Sequence, residues 1–267
     1  MTAITGRGLV AARFAAAFGL AAAAVSASPP HAAFATDWPQ AHSDLRADPR
    51  VLFGALPNGM RYAIMHNDTP KGAVSMWLNV NDGSLQEGDA QQGLAHFLEH
   101  MAFRGSKNVP EKEVWPSLER LGLGMGADAN ASTSFTHTLY KFNFPHNDAE
   151  SIDGGLLRLR DIASGLTLSQ SAMDAERGVI LSEERLRDTP DYRAYRKRLA
   201  FLFPHSRLSE RFPIGSTDII KHAPVSLIRD FYNAYYRPER ATVIVVGDID
   251  AKAMEAKIVG LFSDWKP

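Results

Sequence analysis

Five consecutive residues, His96-Phe97-Leu98-Glu99-His100, constrain this chain more than any other stretch of it. In a helix, residues four apart share a face, so two imidazoles at 96 and 100 converge on one point and Glu99 lies on the same turn. Leu94, Phe97, Leu98 and Met101 recur at helical spacing, which lets the same segment bury an apolar face while presenting its histidines. The segment is therefore expected to be a core helix carrying a polar site. Two readings are open on the string alone: a metal site with a base beside it, or two ordinary surface histidines.

The metal reading has definite requirements. A catalytic zinc takes three protein ligands and keeps one position for water, and two neutral imidazoles plus one carboxylate leave a cation able to acidify that water. The string is the inverted form of the His-Glu-x-x-His zinc signature. A third ligand has to come from another element. Ala175 to Arg187 reads as a helix with Val179, Ile180 and Leu186 turned inward. Glu176 and Glu183 are two helical turns apart on nearly one face. One of them can bind the metal while the other orients a histidine from behind. For either acid taken alone, a solvated helix face is the competing reading.

Further stretches follow in order: Leu56-Pro57-Asn58-Gly59-Met60-Arg61-Tyr62, Gly93 to Phe103, Asn130-Ala131-Ser132-Thr133, Glu176 to Glu183, Tyr235-Tyr236-Arg237-Pro238 and Val243 to Asp248. Together they make the chain resemble the pitrilysin (insulinase) family of zinc metallopeptidases, which also includes mitochondrial processing peptidase, from about Val51 onward. The resemblance implies one Zn2+ per chain held by His96, His100 and Glu183, with Glu99 as general base and Glu176 supporting the site without binding. It implies that the edge strand at Asn130 and Ala131 pairs with an extended peptide. The interval between His100 and Glu183 is longer than in many members, so Glu183 rests on its local motif. This chain carries His137 where relatives carry an acid, which reads as a surface residue. Members work as pairs of homologous domains, so the chain is expected to be the catalytic half of a peptidase, a fragment or a subunit with a partner. Efficient cleavage would need that second half. The competing function is a non-catalytic scaffold subunit. A hydrolase acting on a non-peptide substrate is a third reading.

Composition fits a globular enzyme domain. The chain has 267 residues, 45% of them hydrophobic, no cysteine and a net charge of −1, and nothing in it points to nucleic acid. Gly122, Gly124 and Gly126 lack the spacing and the following helix of a dinucleotide-binding loop. Arg7 and Arg13 precede an apolar run from Phe14 to Val25, and Ala33-Phe34-Ala35 suits a cleavage site. Residues 1–35 are thus expected to be a signal peptide, too short in its apolar run to be a confident membrane span, and the location periplasmic or secreted. A linker over 36–48 and a catalytic domain over 49–267 complete the expected organisation.

Alternation and turn residues predict strands over Val51–Ala55, Met60–Met65, Ala73–Val80, Ala127–Ser132, Phe135–Phe144 and Thr242–Val246. Helices are predicted beyond the first over Glu111–Leu121, Ala149–Ala163, Ala172–Arg187, Tyr192–Phe203, Val225–Tyr235 and Ala251–Phe262, the first of these weakened by Pro116. The fold class that follows is α+β, a largely antiparallel sheet with helices packed on it. The cluster Arg193, Arg196, Lys197 and Arg198 reads as a solvated helix face. Trp115 and Trp265 read as packing residues.

Overall fold

A computed structural model describes residues 37–267; the expected signal peptide lies outside the described residues. Six strands form one sheet: β1 (Val51–Ala55), β2 (Arg61–His66), β3 (Val74–Val80), β4 (Ala129–Thr133), β5 (Thr138–Phe144) and β6 (Ala241–Gly247), in the spatial order β1-β2-β6-β3-β5-β4. Every pairing is antiparallel except β2 with β6. The expected α+β class with a largely antiparallel sheet is what the chain adopts.

Strict alternation explains the sheet's two faces. In β3, Val74, Met76, Leu78 and Val80 are buried while the residues between them are half-exposed, and β5 and β6 repeat the pattern. Register aligns these inward positions: Met76 faces Phe142 on one side and Val245 on the other. The buried face is covered by helices α1 (Leu94–Met101), α3 (Ala149–Ser164) and α8 (Ala251–Phe262). The remaining helices are α2 (Glu111–Arg120), α4 (Gln170–Arg187), α5 (Pro190–Leu202), α6 (Thr217–His222) and α7 (Val225–Tyr235), of which α7 and α4 pack on α1.

Three local outcomes differ from the sequence reading. Residues Ser134 to His137 are a turn and not the start of β5: the Ser134 hydroxyl accepts from the backbone N–H groups of Thr136 and His137 at 3.2 and 3.0 Å, closing the β4–β5 hairpin. Phe135 leaves the sheet and packs edge-on against Phe212. In α4, Ile180 is fully buried, but Val179 is 51% and Leu186 80% exposed. The inward face of α4 is set by Ala172, Met173, Glu176 and Ile180, and Leu186 projects from the other side. Helix α6 was not foreseen, because six residues are too few to display a period. Pro116 is accommodated inside α2: the bond it forgoes is the one to the carbonyl of Lys112, an exposed residue in the first turn. Near the N-terminal limit, Trp38 donates from Nε1 to the Gly54 carbonyl at 3.1 Å and packs against Phe53, which ties residues 37–42 to β1.

Candidate metal centre

The site begins with what holds α1. Gly93 precedes it at φ +97°, a backbone conformation that disfavours any side chain, and packs against Gly215, where an added methyl would overlap the Gly93 backbone. The Glu87 carboxylate, fully buried, accepts the N–H of Gly93 on one oxygen and that of Ala95 on the other, both at 2.9 Å. A buried acid thus satisfies two of the helix's free N–H groups. Burial still pushes Glu87 up to about 8, with those two hydrogen bonds opposing it. Seven of the eight residues of α1 are buried, so its side chains have little rotational freedom.

Helical geometry then brings His96 and His100 together, with their Nε2 atoms 3.3 Å apart. Across from them, α4 supplies two acids on one face. Glu176 accepts from His100 Nδ1 on its Oε1 at 2.9 Å, and its other oxygen lies 3.6 Å from Arg104. Glu183 places Oε2 3.4 Å from His96 Nε2 and 3.5 Å from His100 Nε2. The donor atoms of His96, His100 and Glu183 all lie within 4.8 Å of one another. With Nδ1 of His100 committed to Glu176, its Nε2 is the nitrogen left to face the other two donors.

The electrostatics suit a cation. Burial pushes His96 down to about 4, and the neighbouring His100 charge adds to the effect. Burial also disfavours the charged form of His100, but its hydrogen bonds to Glu176 and Glu183 prevail and raise it to about 9. The bond from His100 holds Glu183 down at about 2. Two imidazole nitrogens and one carboxylate oxygen, one imidazole oriented by a second carboxylate, form a donor set that fits zinc. A bound divalent cation would take the place of the proton on His100.

Glu99 sits beside this group. Its Oε2 accepts from the Thr133 hydroxyl at 2.6 Å, and burial raises its carboxyl above the usual range against that hydrogen bond. All of these residues open on a cavity of about 610 Å³ whose walls include Phe103, Trp115, Met125, Asn130 to Thr133, Val179 and Arg187. Trp115 does pack, stacked on Phe103 with centroids 5.2 Å apart, but the pair also lines the cavity. Strand β4 lies at the edge of the sheet with Asn130 exposed. The Asn130 amide bridges locally, donating to the Gly126 carbonyl and accepting from Ala131 N–H at 2.8 Å. His137 lies in the hairpin turn, bonded to Ser134, away from the cavity. The basic residues of α5 are exposed, as expected.

Sequence reasoning assigned no role to Thr133, Glu87 or Arg187. Arg187 was accessible through its four-residue spacing from Glu183. Thr133 and Glu87 reach α1 through the fold, and no local pattern announces them.

Residues 62–200 match the profile of Insulinase (Peptidase family M16), and residues 225–267 that of the Peptidase M16 inactive domain. The probable zinc protease PqqL of Haemophilus influenzae is 39% identical over 211 residues, which is 79% of this chain and 23% of that protein. The chloroplastic stromal processing peptidase of Arabidopsis thaliana is 37% identical over 211 residues, 78% of this chain and 16% of its own length. The crystal structure of the first half of the periplasmic protease PqqL from Escherichia coli superposes with a TM-score of 0.80 at 36% identity, covering 83% of this chain and 47% of that one. The matched stretch thus spans about a quarter or less of the length of these two curated relatives.

Proposed function

Because this chain belongs to the insulinase family, peptidase family M16, we propose that it is the metal-bearing domain of a zinc endopeptidase that cleaves unfolded peptides or small polypeptides. The observation that carries this reading is the convergence of the His96, His100 and Glu183 donors within 4.8 Å, with Glu99 on the same cavity wall. A zinc ion held there would supply Lewis acidity toward a peptide carbonyl and a lowered pKa for water.

The chain's own residues account for the rest. His96, His100 and Glu183 would hold the cation, and Glu176 fixes His100 in the tautomer that can do so. Glu99 accepts the proton of the attacking water and delivers it to the leaving amine. Thr133 engages one oxygen of Glu99 and leaves the other for that transfer. The β4 edge at Asn130 and Ala131 pairs with an extended peptide, for which the Asn130 amide must release Ala131 N–H. The stacked Phe103 and Trp115 give the cavity an apolar wall beside the metal donors.

Full activity needs a second homologous domain or subunit, in keeping with relatives much longer than this chain. The location is periplasmic or secreted; the N-terminal sequence and the periplasmic E. coli PqqL support this. No helix among the described residues is long and apolar enough to cross a membrane.

Metal analysis and a quenched-peptide assay on the same samples test the reading. Wild type should carry close to one zinc per chain. Glu183→Gln should lose most of it on dialysis and keep only the weak binding of the two histidines, and Glu99→Gln should keep its zinc while cleavage falls by about 10²–10⁴-fold. A Glu99→Gln variant that retains zinc and cleaves at the wild-type rate would defeat the mechanism. A folded wild type without zinc would favour the scaffold-subunit alternative.

A further inference from the structure

The three donors are not held alike. His96 is fixed by burial, its side chain 7% exposed, and His100 is fixed through Nδ1 by Glu176. Glu183 has neither support: its side chain is 29% exposed and stands in the last turns of α4. What holds it is Arg187, one turn further on, whose Nη2 donates to Oε1 at 2.5 Å. The two carboxylate oxygens are therefore divided, Oε1 toward the guanidinium and Oε2 toward both histidines. Arg187 lines the same cavity as the donors.

We propose that Arg187 is a positioning residue for the third metal donor: by occupying Oε1 it fixes the rotation of the Glu183 carboxylate and leaves one oxygen for the cation. This rests on the zinc-site reading above. A partly exposed pair at this spacing on a helix adds little to folding stability, so its consequence falls on the site. A carboxylate with both oxygens free can chelate with two, whereas one already engaged binds through a single oxygen and keeps coordination positions for water and a substrate carbonyl. The guanidinium also repels the cation, so orientation has to outweigh that repulsion for Arg187 to favour binding. Arginine suits the task because its planar fork fixes a carboxylate's direction, which the ammonium of lysine does only in part.

Chelator competition for zinc on the full chain tests this, with wild type, Arg187→Ala, Arg187→Lys, Glu183→Gln and the Arg187→Ala/Glu183→Gln double variant. Arg187→Ala should weaken zinc binding about tenfold, Arg187→Lys should recover part of the loss, and Arg187→Ala should add nothing in the Glu183→Gln background. In cobalt-substituted protein, Arg187→Ala should lower the visible absorbance, because the freed Oε1 raises the coordination number. A structural role elsewhere would not move that spectrum. Zinc binding by Arg187→Ala within about twofold of wild type, or an equal loss in the Glu183→Gln background, overturns the role of Arg187 while leaving the zinc site intact. Wild type that binds no zinc overturns the site itself and this inference with it.

Discussion

Helices α1 and α4 each supply side chains to the candidate metal centre, and they are built in opposite ways. Helix α1 is short and almost wholly buried, its start is clamped by Glu87, and one face rests on the sheet. Helix α4 is 18 residues long with four of them buried, and it continues through a brief turn into α5, where Leu199 alone is buried. Beyond that, Phe201 is 83% exposed. Side chains on α1 are placed by packing, whereas the acids on α4 are placed by charge, Glu176 beside Arg104 and Glu183 beside Arg187. A site assembled from one packed helix and one charge-clamped helix has a stable half and an adjustable half. Substitutions should therefore act on folding when they touch the support of α1 and on the metal when they touch α4.

The largest effect should come from Asp82, which is fully buried with neither carboxylate oxygen hydrogen-bonded among the described residues. Burial raises it to about 8, above the ordinary 3.8, with Arg240 opposing. The folded state then holds one more proton than the unfolded chain between those values, so stability falls as pH rises through that window. From about pH 5 to about pH 8, wild type should lose about 4 kcal/mol more than Asp82→Asn, which has nothing to ionise. Urea unfolding across pH reads this, and parallel curves for the two proteins would show that Asp82 is ionised in the fold.

Next in size, Glu87→Ala should cost about 3 kcal/mol, since the N–H groups of Gly93 and Ala95 lose their buried acceptors. A loss of this size in the urea midpoint separates α1 from α4, where Glu176→Gln should leave stability nearly unchanged. Its effect should appear instead as zinc affinity about tenfold weaker, through the loosened His100. If Glu176→Gln unfolded the protein while leaving affinity intact, the contrast between the two helices would collapse. Smallest of all, Phe201→Ser on the exposed end of α5 should change stability by less than about 0.5 kcal/mol, measured by thermal unfolding.

The sequence made much of this visible for identifiable reasons. Helices α7 and α8 were readable to their terminal residues because Pro224 and Asp250 mark their starts and apolar positions recur at helical period within them. His96, Glu99 and His100 were readable because their relation is local, and Glu176 and Glu183 because seven residues make two turns. The turn at Ser134 to His137 was not, since Phe135 resembles a strand residue until Phe212, far away in sequence, gives it somewhere else to pack. Val179 and Leu186 looked like core because hydrophobicity alone does not say which face of α4 meets α1. The parallel β2–β6 pairing joins Arg61 to Thr242, and no spacing within either strand specifies it.

By itself, then, the sequence determined most of the elements, two histidines and Glu99 on one helix, and two acids on one face of another, because each follows from chain periodicity over a few residues. Tertiary structure decided which acid faces both histidines and which stands behind His100, that Thr133 holds Glu99, that Glu87 anchors α1, and that Arg187 takes one oxygen of Glu183. Most of these depend on how α1, α4 and the sheet are set against one another. The last depends on which way Glu183 faces once they are. Long-range packing fixes those relations, and local propensity does not contain them.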